Sequence, residues 1–321
     1  MKYTVCLNAI VKDEEAGIEN MLRSVTPSID YYVIVDTGST DRTKEVIKKY
    51  FDSVGIEGEI HDRPWYNHFG KSRTEALELC YGKADYVLIM DATDGLEGKI
   101  QLPEHNGLDG YKIKIKHGGI VYWRVQLVKN DPDLGWKYHG AVHEYIGCDK
   151  EQHTVGDMDS CSILYNVTPS VRDKNPNKYH DDAKILEAEL QKDPTNVRNQ
   201  FYLAQSYKDA KMFDKAITAY KKRIEMGGWY EEIYVSYYSI AVCLRHLDAP
   251  ESEIEAAFLT AYEKYPHRAE PLYSLAQYFR EKKQYEKAFK YGRKALSIPY
   301  PSKDILFVQK YVYDYALKDE V

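Results

Sequence analysis

The sequence lacks several features that mark common functional classes. No stretch approaches the roughly 18 consecutive apolar residues of a membrane-spanning helix, so no membrane span is expected. Aspartate and glutamate (50) outnumber lysine and arginine (44), and the net charge of -6 argues against non-specific binding to nucleic-acid backbones. The five cysteines are scattered without a CxxC pair, and their odd number argues against a disulfide framework. We therefore expect reduced thiols in a cytoplasmic protein.

Motifs of three well-known kinds of active site are also missing. No GxGxxG follows an apolar run, which argues against a dinucleotide oxidoreductase. The chain has no GxxxxGK[ST] phosphate loop and no GxSxG nucleophile elbow. Phenylalanine is scarce (8) where tyrosine is abundant (30). Tyrosine combines an apolar ring with a polar tip, which suits helix interfaces and sugar-facing surfaces alike, and we expect most of these residues to pack between repeat helices.

The first hundred residues have the pattern of an α/β domain. Three short apolar runs predict buried parallel strands, at Tyr3–Val11, Tyr31–Val35 and Tyr86–Met90. The first run is followed at once by the acidic VKDEE, which favours a strand over a signal peptide. Helical patterns follow the first two runs, and Ser39 or Thr40 is the expected N-cap of the second helix. Ligands of such sheets bind at the carboxyl ends of the strands.

The rest of the chain changes character twice. The alternating segments YKIKIK and VYWRVQLVK predict antiparallel strands that complete the sheet, and NVTPSVRDKNPN (166–177) predicts a linker. Beyond it, small and large apolar residues recur with a period close to the roughly 34 residues of a tetratricopeptide repeat. The positions that carry the three copies are Leu203, Ala204, Tyr207, Ala216, Tyr220; Ile240, Ala241, Leu244, Phe258, Ala261; and Leu275, Ala276, Phe279, Ala288, Ala295. Helical hairpins without a solenoid are the alternative.

Acidic residues follow two of the predicted strands. Asp36 ends the run in VIVDTGSTDRT and is placed to accept a hydrogen bond from a nucleoside, while Gly38 gives the turn its backbone freedom. Asp91 and Asp94 follow the third strand in VLIMDATDGL. Two neighbouring carboxylates suit a hard divalent cation that bridges a diphosphate. Acidic residues after strands also cap turns. A functional role is favoured here only because such residues follow two strands of the same sheet.

Five segments of the chain resemble motifs of a known family. The segments LNAIVKDEE, VDTGSTDRT, FGKSRTEAL, LIMDATD and WRVQLVKNDPDLGWKYHGAVHEYI resemble, in order, the IVKNE, DTGSTD, FxxARN, LDADE and RLFRN…W…G.VHE motifs of a subset of family 2 glycosyltransferases. The resemblance covers roughly residues 1–147. It implies a GT-A (nucleotide-diphospho-sugar transferase) α/β domain over residues 1–168. An all-α tetratricopeptide-like repeat domain over 169–321 is an arrangement known in the family.

The resemblance implies roles in binding a nucleotide-sugar donor, with a UDP-sugar as the expected one. The backbone from Ala9 to Val11, together with Glu14, resembles the wall against the base and ribose. Asp36 resembles the acid that holds the base. Arg73 matches the arginine of ARN, near the donor nucleotide, where a fixed positive fork suits a diphosphate.

The resemblance further implies a metal-dependent hexosyl transfer with inversion. Asp91 matches the first acid of the DxD motif and also belongs to the donor site, and Mn²⁺ or Mg²⁺ is expected at Asp91, Asp94 and His143. Glu144 and then Asp94 are the candidates for the base that deprotonates the acceptor. The acceptor is open: a protein, a glycan or a modified nucleic acid.

Two departures from the family pattern bear on activity. Thr93 stands at the second acid of DxD, and Thr74 replaces the asparagine of ARN. Threonine is a poorer cation ligand than a carboxylate, so either Asp94 takes over the role, or metal binding weakens, or catalysis is lost. The alternative function is a degenerate GT-A domain that serves as scaffold for a peptide- or protein-binding repeat module.

Overall fold

The computed structural model describes residues 3–105, 107–117, 120–168 and 175–320. The chain divides into two compact units, Met1–Lys178 (unit 1) and Tyr179–Val321 (unit 2). Much of the predicted linker, and the predicted start of the second domain at residue 169, lie outside the described residues.

Unit 1 is a mixed α/β structure. Its strands are β1 (Val5–Val11), β2 (Tyr31–Asp36), β3 (Gly58–Asp62), β4 (Tyr86–Ile89), β5 (Gly95–Gly98), β6 (Gly110–His117), β7 (Ile120–Lys129), β8 (Trp136–His139), β9 (Tyr145–Cys148) and β10 (Val155–Leu164). Its helices are α1 (Ile18–Val25), α2 (Thr43–Val54) and α3 (Phe69–Glu78), with 3₁₀ turns at Thr26–Ser28 and Pro132–Leu134.

Eight of these strands form one sheet in the order β3-β2-β1-β4-β7-β6-β10-β5, and β8 and β9 form a separate hairpin. The pairs β2–β1 and β1–β4 are parallel, as the apolar runs predict, and β3 also pairs parallel with β2. β7 is antiparallel to both β4 and β6, so the alternating segments do extend the sheet. The core on one face includes the helix α1 residues Ile18, Met21, Leu22 and Val25, which are all buried because they recur on one side of the helix.

One irregularity shapes β7. The pairing passes from Tyr111↔Leu127 to Lys112↔Val125, so Gln126 is an extra residue in β7 relative to β6. Such a β-bulge bends the strand and redirects nearby side chains.

Two local features differ from the prediction. β3 is an edge strand with the sequence GEIHD, and its four non-apolar residues give no apolar run to detect. Helix α2 begins at Thr43, so neither Ser39 nor Thr40 is its N-cap. The carboxylate of Asp41 accepts a hydrogen bond from the Thr43 N–H (2.9 Å) instead, while the Ser39 hydroxyl accepts one from the Asp13 N–H. The Ser39 hydroxyl, which the prediction assigned to the N-cap of α2, therefore binds the loop after β1 instead.

Unit 2 is helical, as predicted. Its helices are α5 (Val197–Asp209), α6 (Phe213–Glu225), α7 (Tyr230–His246), α8 (Glu251–Lys264), α9 (Glu270–Glu281), α10 (Tyr285–Leu296) and α11 (Leu317–Glu320), preceded by α4 (Lys178–Lys192) and with a π-turn at Val312–Ala316. Consecutive helices from α5 to α10 pack against each other. Ala204, Ala241 and Ala276 are fully buried, because small side chains let paired helices approach closely. In the described ranges, no helix is both long and apolar enough to cross a bilayer.

Candidate functional site

Asp36 lies at the end of β2, where the sequence predicts a nucleoside-binding acid. Its Oδ1 accepts hydrogen bonds from the backbone N–H groups of Gly38 (2.8 Å) and Ser39 (2.7 Å). Gly38 has a φ of 106°, which lets the chain turn back onto the carboxylate. The other oxygen, Oδ2, is buried and has no hydrogen-bond partner in the described part of the chain. Leaving a buried carboxylate oxygen without a hydrogen bond costs free energy. An N–H group of a bound ligand can supply that hydrogen bond.

The other predicted donor residues flank this strand end. Val11 is in register with Asp36 on the neighbouring strand, and its carbonyl accepts a hydrogen bond from the Thr37 N–H (2.9 Å). The side chains of Ala9 and Val11 are buried, which leaves a role for their backbone only. The N–H of Glu14 donates to Thr43 Oγ1 (2.7 Å), so the turn after β1 is fixed to the start of α2.

A cavity of about 300 Å³ opens beside the end of β4. Its walls come from α3, β4, β6 and β7, and from the β8–β9 hairpin with the loop between its strands. The charged and amide side chains that line it are Arg73, Asp91, Lys112, Arg124, Gln126 and Glu144. Aromatic surface comes from Trp123, Tyr138 and Tyr145.

Arg73 connects two candidate residues in this cavity. Its Nε donates to Glu144 Oε1 at 2.7 Å, and its Nη2 donates to Asp91 Oδ1. The guanidinium lies 5.7 Å from the centroid of the Tyr138 ring, a cation–π contact. Burial alone would raise the pKa of Asp91, but the positive charges of Arg73 and Arg124 outweigh it and hold that pKa below its usual value. The structure thus brings together residues from three separate sequence motifs.

Asp94 has a different environment. It is fully buried, its Oδ1 accepts a hydrogen bond from the Asn166 N–H (2.9 Å), and its Oδ2 has no hydrogen-bond partner in the described ranges. Burial, and then the charge of Asp91, raise the pKa of Asp94 to about 7. His143 is exposed and adopts a left-handed backbone (φ 52°). Neither Asp94 nor His143 is among the described residues that line the cavity.

The described residues contain no group of three His, Cys, Asp or Glu side chains arranged to hold a metal ion. The ligand set of Asp91, Asp94 and His143 therefore stays a prediction. The cavity offers a cation the Asp91 carboxylate, while the unpaired Oδ2 of Asp94 belongs to a fully buried side chain outside the cavity lining; together these are fewer ligands than Mn²⁺ or Mg²⁺ requires. These two carboxylates fit a cation only if a diphosphate supplies further oxygens.

Sequence reasoning missed several cavity residues. Tyr138, whose pKa burial raises to about 12, packs on Arg73 but sits in the unremarkable segment GWKYHG. Arg124 and Gln126 lie in the alternating run VYWRVQLVK, where polar residues two apart were a usable signal for one wall of a site. Two tryptophans of this part of the chain differ in position: Trp123 lines the cavity, and Trp136 is buried in the core.

The departure at Thr74 has a structural explanation. Its hydroxyl donates to the Gly70 carbonyl (2.8 Å) and accepts from the Tyr138 N–H (2.9 Å). Thr74 therefore joins α3, which carries Arg73, to β8.

Comparisons with known proteins agree with this architecture. Residues 8–95 match the model of Glycosyl transferase family 2. A TPR repeat-containing protein of Synechococcus elongatus is 27% identical over 151 residues, which cover 44% of this chain and 36% of that protein. The SPbeta prophage-derived glycosyltransferase SunS of Bacillus subtilis is 24% identical over 238 residues, which cover 68% of this chain and 54% of that protein. This chain thus spans between about a third and about half of the length of these relatives.

Among solved structures, a crystal structure of MamA is 20% identical with a TM-score of 0.33, covering 41% of this chain and 75% of MamA. The helix pairs of unit 2 and the TPR relative confirm the predicted C-terminal tetratricopeptide-like repeats. The N-terminal α/β sheet and the family match confirm the predicted fold class of the first domain. Within the N-terminal unit, residues 8–95 are therefore similar to glycosyl transferase family 2.

Proposed function

We propose that this protein transfers a sugar from a nucleoside diphosphate donor to an acceptor hydroxyl or similar nucleophile, with inversion at the anomeric carbon. One observation carries the proposal: Arg73, Asp91 and Glu144, which come from separate motifs, meet in one cavity beside the carboxyl end of a parallel strand. The family match and the SunS relative support the class of reaction.

In the proposed reaction, the acceptor oxygen attacks the anomeric carbon as the bond from that carbon to the diphosphate oxygen breaks. The electron pair leaves with the nucleoside diphosphate, and the acceptor proton passes to the Glu144 carboxylate. Glu144 is favoured over Asp94 as the base because it lines the cavity, whereas Asp94 is fully buried. Arg73 holds Glu144 in place and offers positive charge to the departing diphosphate.

We also propose that Mn²⁺ or Mg²⁺ takes part, held by Asp91 and Asp94 together with the donor diphosphate. When bound, such a cation stabilises the negative charge that develops on the leaving group. The unpaired Oδ2 of Asp94 supports this assignment.

The donor side of the proposal rests on Asp36. Its buried, unpaired Oδ2 is suited to the ring N–H of a uracil base, and a UDP-sugar is therefore the proposed donor. An asparagine at position 36 would place an N–H donor where the uracil N–H requires a hydrogen-bond acceptor.

The experiment compares UDP binding by calorimetry in the wild type, Asp36→Asn and Asp62→Asn. Asp62 is in register with Asp36 on the adjacent strand, but its side chain is 74% exposed, so it is a matched control. We expect Asp36→Asn to lose about 10- to 100-fold in affinity, the range for a hydrogen bond to a charged group, and Asp62→Asn to lose little. Equal affinities in all three folded proteins would remove Asp36 from the donor site. Screening the wild type against nucleotide sugars for hydrolysis and transfer then tests activity, and a protein silent towards every donor would favour the scaffold alternative.

A further inference from the structure

Strand β7 carries a cation that the proposed reaction does not use. Arg124 lies in the cavity wall, half-buried, and its Nε donates to Gln126 Oε1 at 3.0 Å. The Gln126 amide donates in turn to the Ile89 carbonyl at the end of β4, also at 3.0 Å. This chain of hydrogen bonds fixes the arginine relative to the strand that leads to Asp91.

The position of Arg124 follows from where the strand pairing ends. β4 and β7 pair antiparallel as far as Leu88↔Leu127, and Arg124, beyond the bulge at Gln126, lines the same cavity as Asp91. In the strand order β2-β1-β4-β7, this wall lies on the far side of β4 from Asp36. A donor that extends from Asp36 to Asp91 therefore has Arg124 beyond its sugar end.

The cationic side chains of the cavity differ in whether they form ion pairs. Arg73 is bound to both Asp91 and Glu144. The Lys112 ammonium lies 2.8 Å from Asp157. No Asp or Glu side chain forms an ion pair with Arg124 within the described ranges, so the two terminal nitrogens of its guanidinium can bind an anion in bidentate fashion. Trp123, next in sequence, adds an aromatic surface to the same wall.

We propose that Arg124 binds a carboxylate or phosphate group of the acceptor, so that the acceptor of this enzyme is anionic. The inference rests on the proposed function, because it assigns the cavity beyond the donor to the acceptor. A diphosphate of the donor has the same chemistry, and the experiment separates the two sources.

The experiment measures dissociation constants of matched ligand pairs by ligand-observed NMR, with the full-length chain and with and without UDP. The pairs are methyl glucuronide against methyl glucoside and glucose 6-phosphate against glucose. Wild-type protein should bind the anionic member of at least one pair about 10- to 100-fold more tightly, since a charged bidentate hydrogen bond is lost in the neutral one. Arg124→Gln should reduce that ratio to near one. Lys116→Gln removes an exposed charge of strand β6 that does not line the cavity and should leave the ratio unchanged.

Three results would overturn the proposal: a ratio near one in the wild type, a ratio that survives in Arg124→Gln, or an equal loss of UDP affinity in that variant, which would assign the arginine to the donor. If Arg124→Gln does not fold, Arg124→Lys keeps the charge but loses the planar fork and should lower the ratio by less. A protein that prefers the anions but binds no UDP would refute the transferase function and leave the anion site intact.

Discussion

Replacing Arg73 by glutamine should destabilise unit 1 far more than an ordinary surface substitution. The change removes the cation that lies between the carboxylates of Asp91 and Glu144. The side chains of Arg73, Glu144 and Asp91 are 13%, 15% and 29% exposed, so water only partly replaces the lost partner. Breaking a fully buried ion pair from one side costs about 3–5 kcal/mol, and for this partly solvated pair we expect about 2–4 kcal/mol.

The assay is urea unfolding followed by tryptophan fluorescence. Of the four tryptophans, Trp65, Trp123 and Trp136 lie in unit 1, so the signal reports mainly on that unit. Arg23→Gln is the matched control, because Arg23 pairs with Glu19 on the surface of α1 with 67% of its side chain exposed. Exposed pairs contribute about 0–1 kcal/mol, and the control should stay in that range.

A double substitution sharpens the test. If the cost of Arg73→Gln comes from leaving Glu144 without its cation, adding Glu144→Gln should recover about 1–2 kcal/mol, since residues in contact are not additive. The reasoning is refuted if Arg73→Gln costs no more than Arg23→Gln. It is also refuted if the two substitutions at the site add their separate costs.

Two further predictions concern the cation and the backbone around the site. Mn²⁺ should bind weakly to the protein alone and much more tightly with UDP, because Asp91 and Asp94 leave most ligand positions to the diphosphate; equal affinity in calorimetric titrations with and without UDP would contradict a shared site. Gly70→Ala should cost about 1–3 kcal/mol in urea unfolding, because its Cβ would lie 2.4 Å from the Gly140 carbonyl oxygen. Gly95→Ala, whose Cβ would meet only ordinary contacts, is the control, and an equal effect of both would show that the close approach of α3 is not what limits position 70.

The strands and the helical repeats follow from local patterns in the sequence. β1, β2 and β4 are short apolar runs, and their burial on both faces is what such runs imply. The repeat helices reveal themselves through the spacing of small and large apolar residues. β3 escaped prediction because it is a half-buried edge strand whose stability depends on pairing with β2, and that pairing leaves no periodicity in GEIHD.

The candidate site, too, could be predicted only in part from the sequence. Asp36 and Asp91 follow apolar strands, so their place at the sheet edge could be expected from the sequence. The contact of Arg73 with Glu144 joins residues 71 positions apart and depends on how α3 packs against the β8–β9 hairpin. The bulge at Gln126 depends on register between two strands. Neither leaves a local signal, and both shape the cavity.

The charge balance of the cavity links these observations to the departure at Thr93. Arg73 is bound to Asp91 and Glu144, and Lys112 to Asp157, which leaves Arg124 as the lining cation with no ion pair among the described residues. A carboxylate at position 93 would add a negative charge to the segment after Asp91, whereas threonine adds none. A nucleoside diphosphate brings more negative charge than one cation can match, and a divalent ion shared with Asp91 would supply the rest. Asp91 would hold such an ion beside Arg73, which binds Glu144, and Arg124 is the cation that an anionic acceptor can approach.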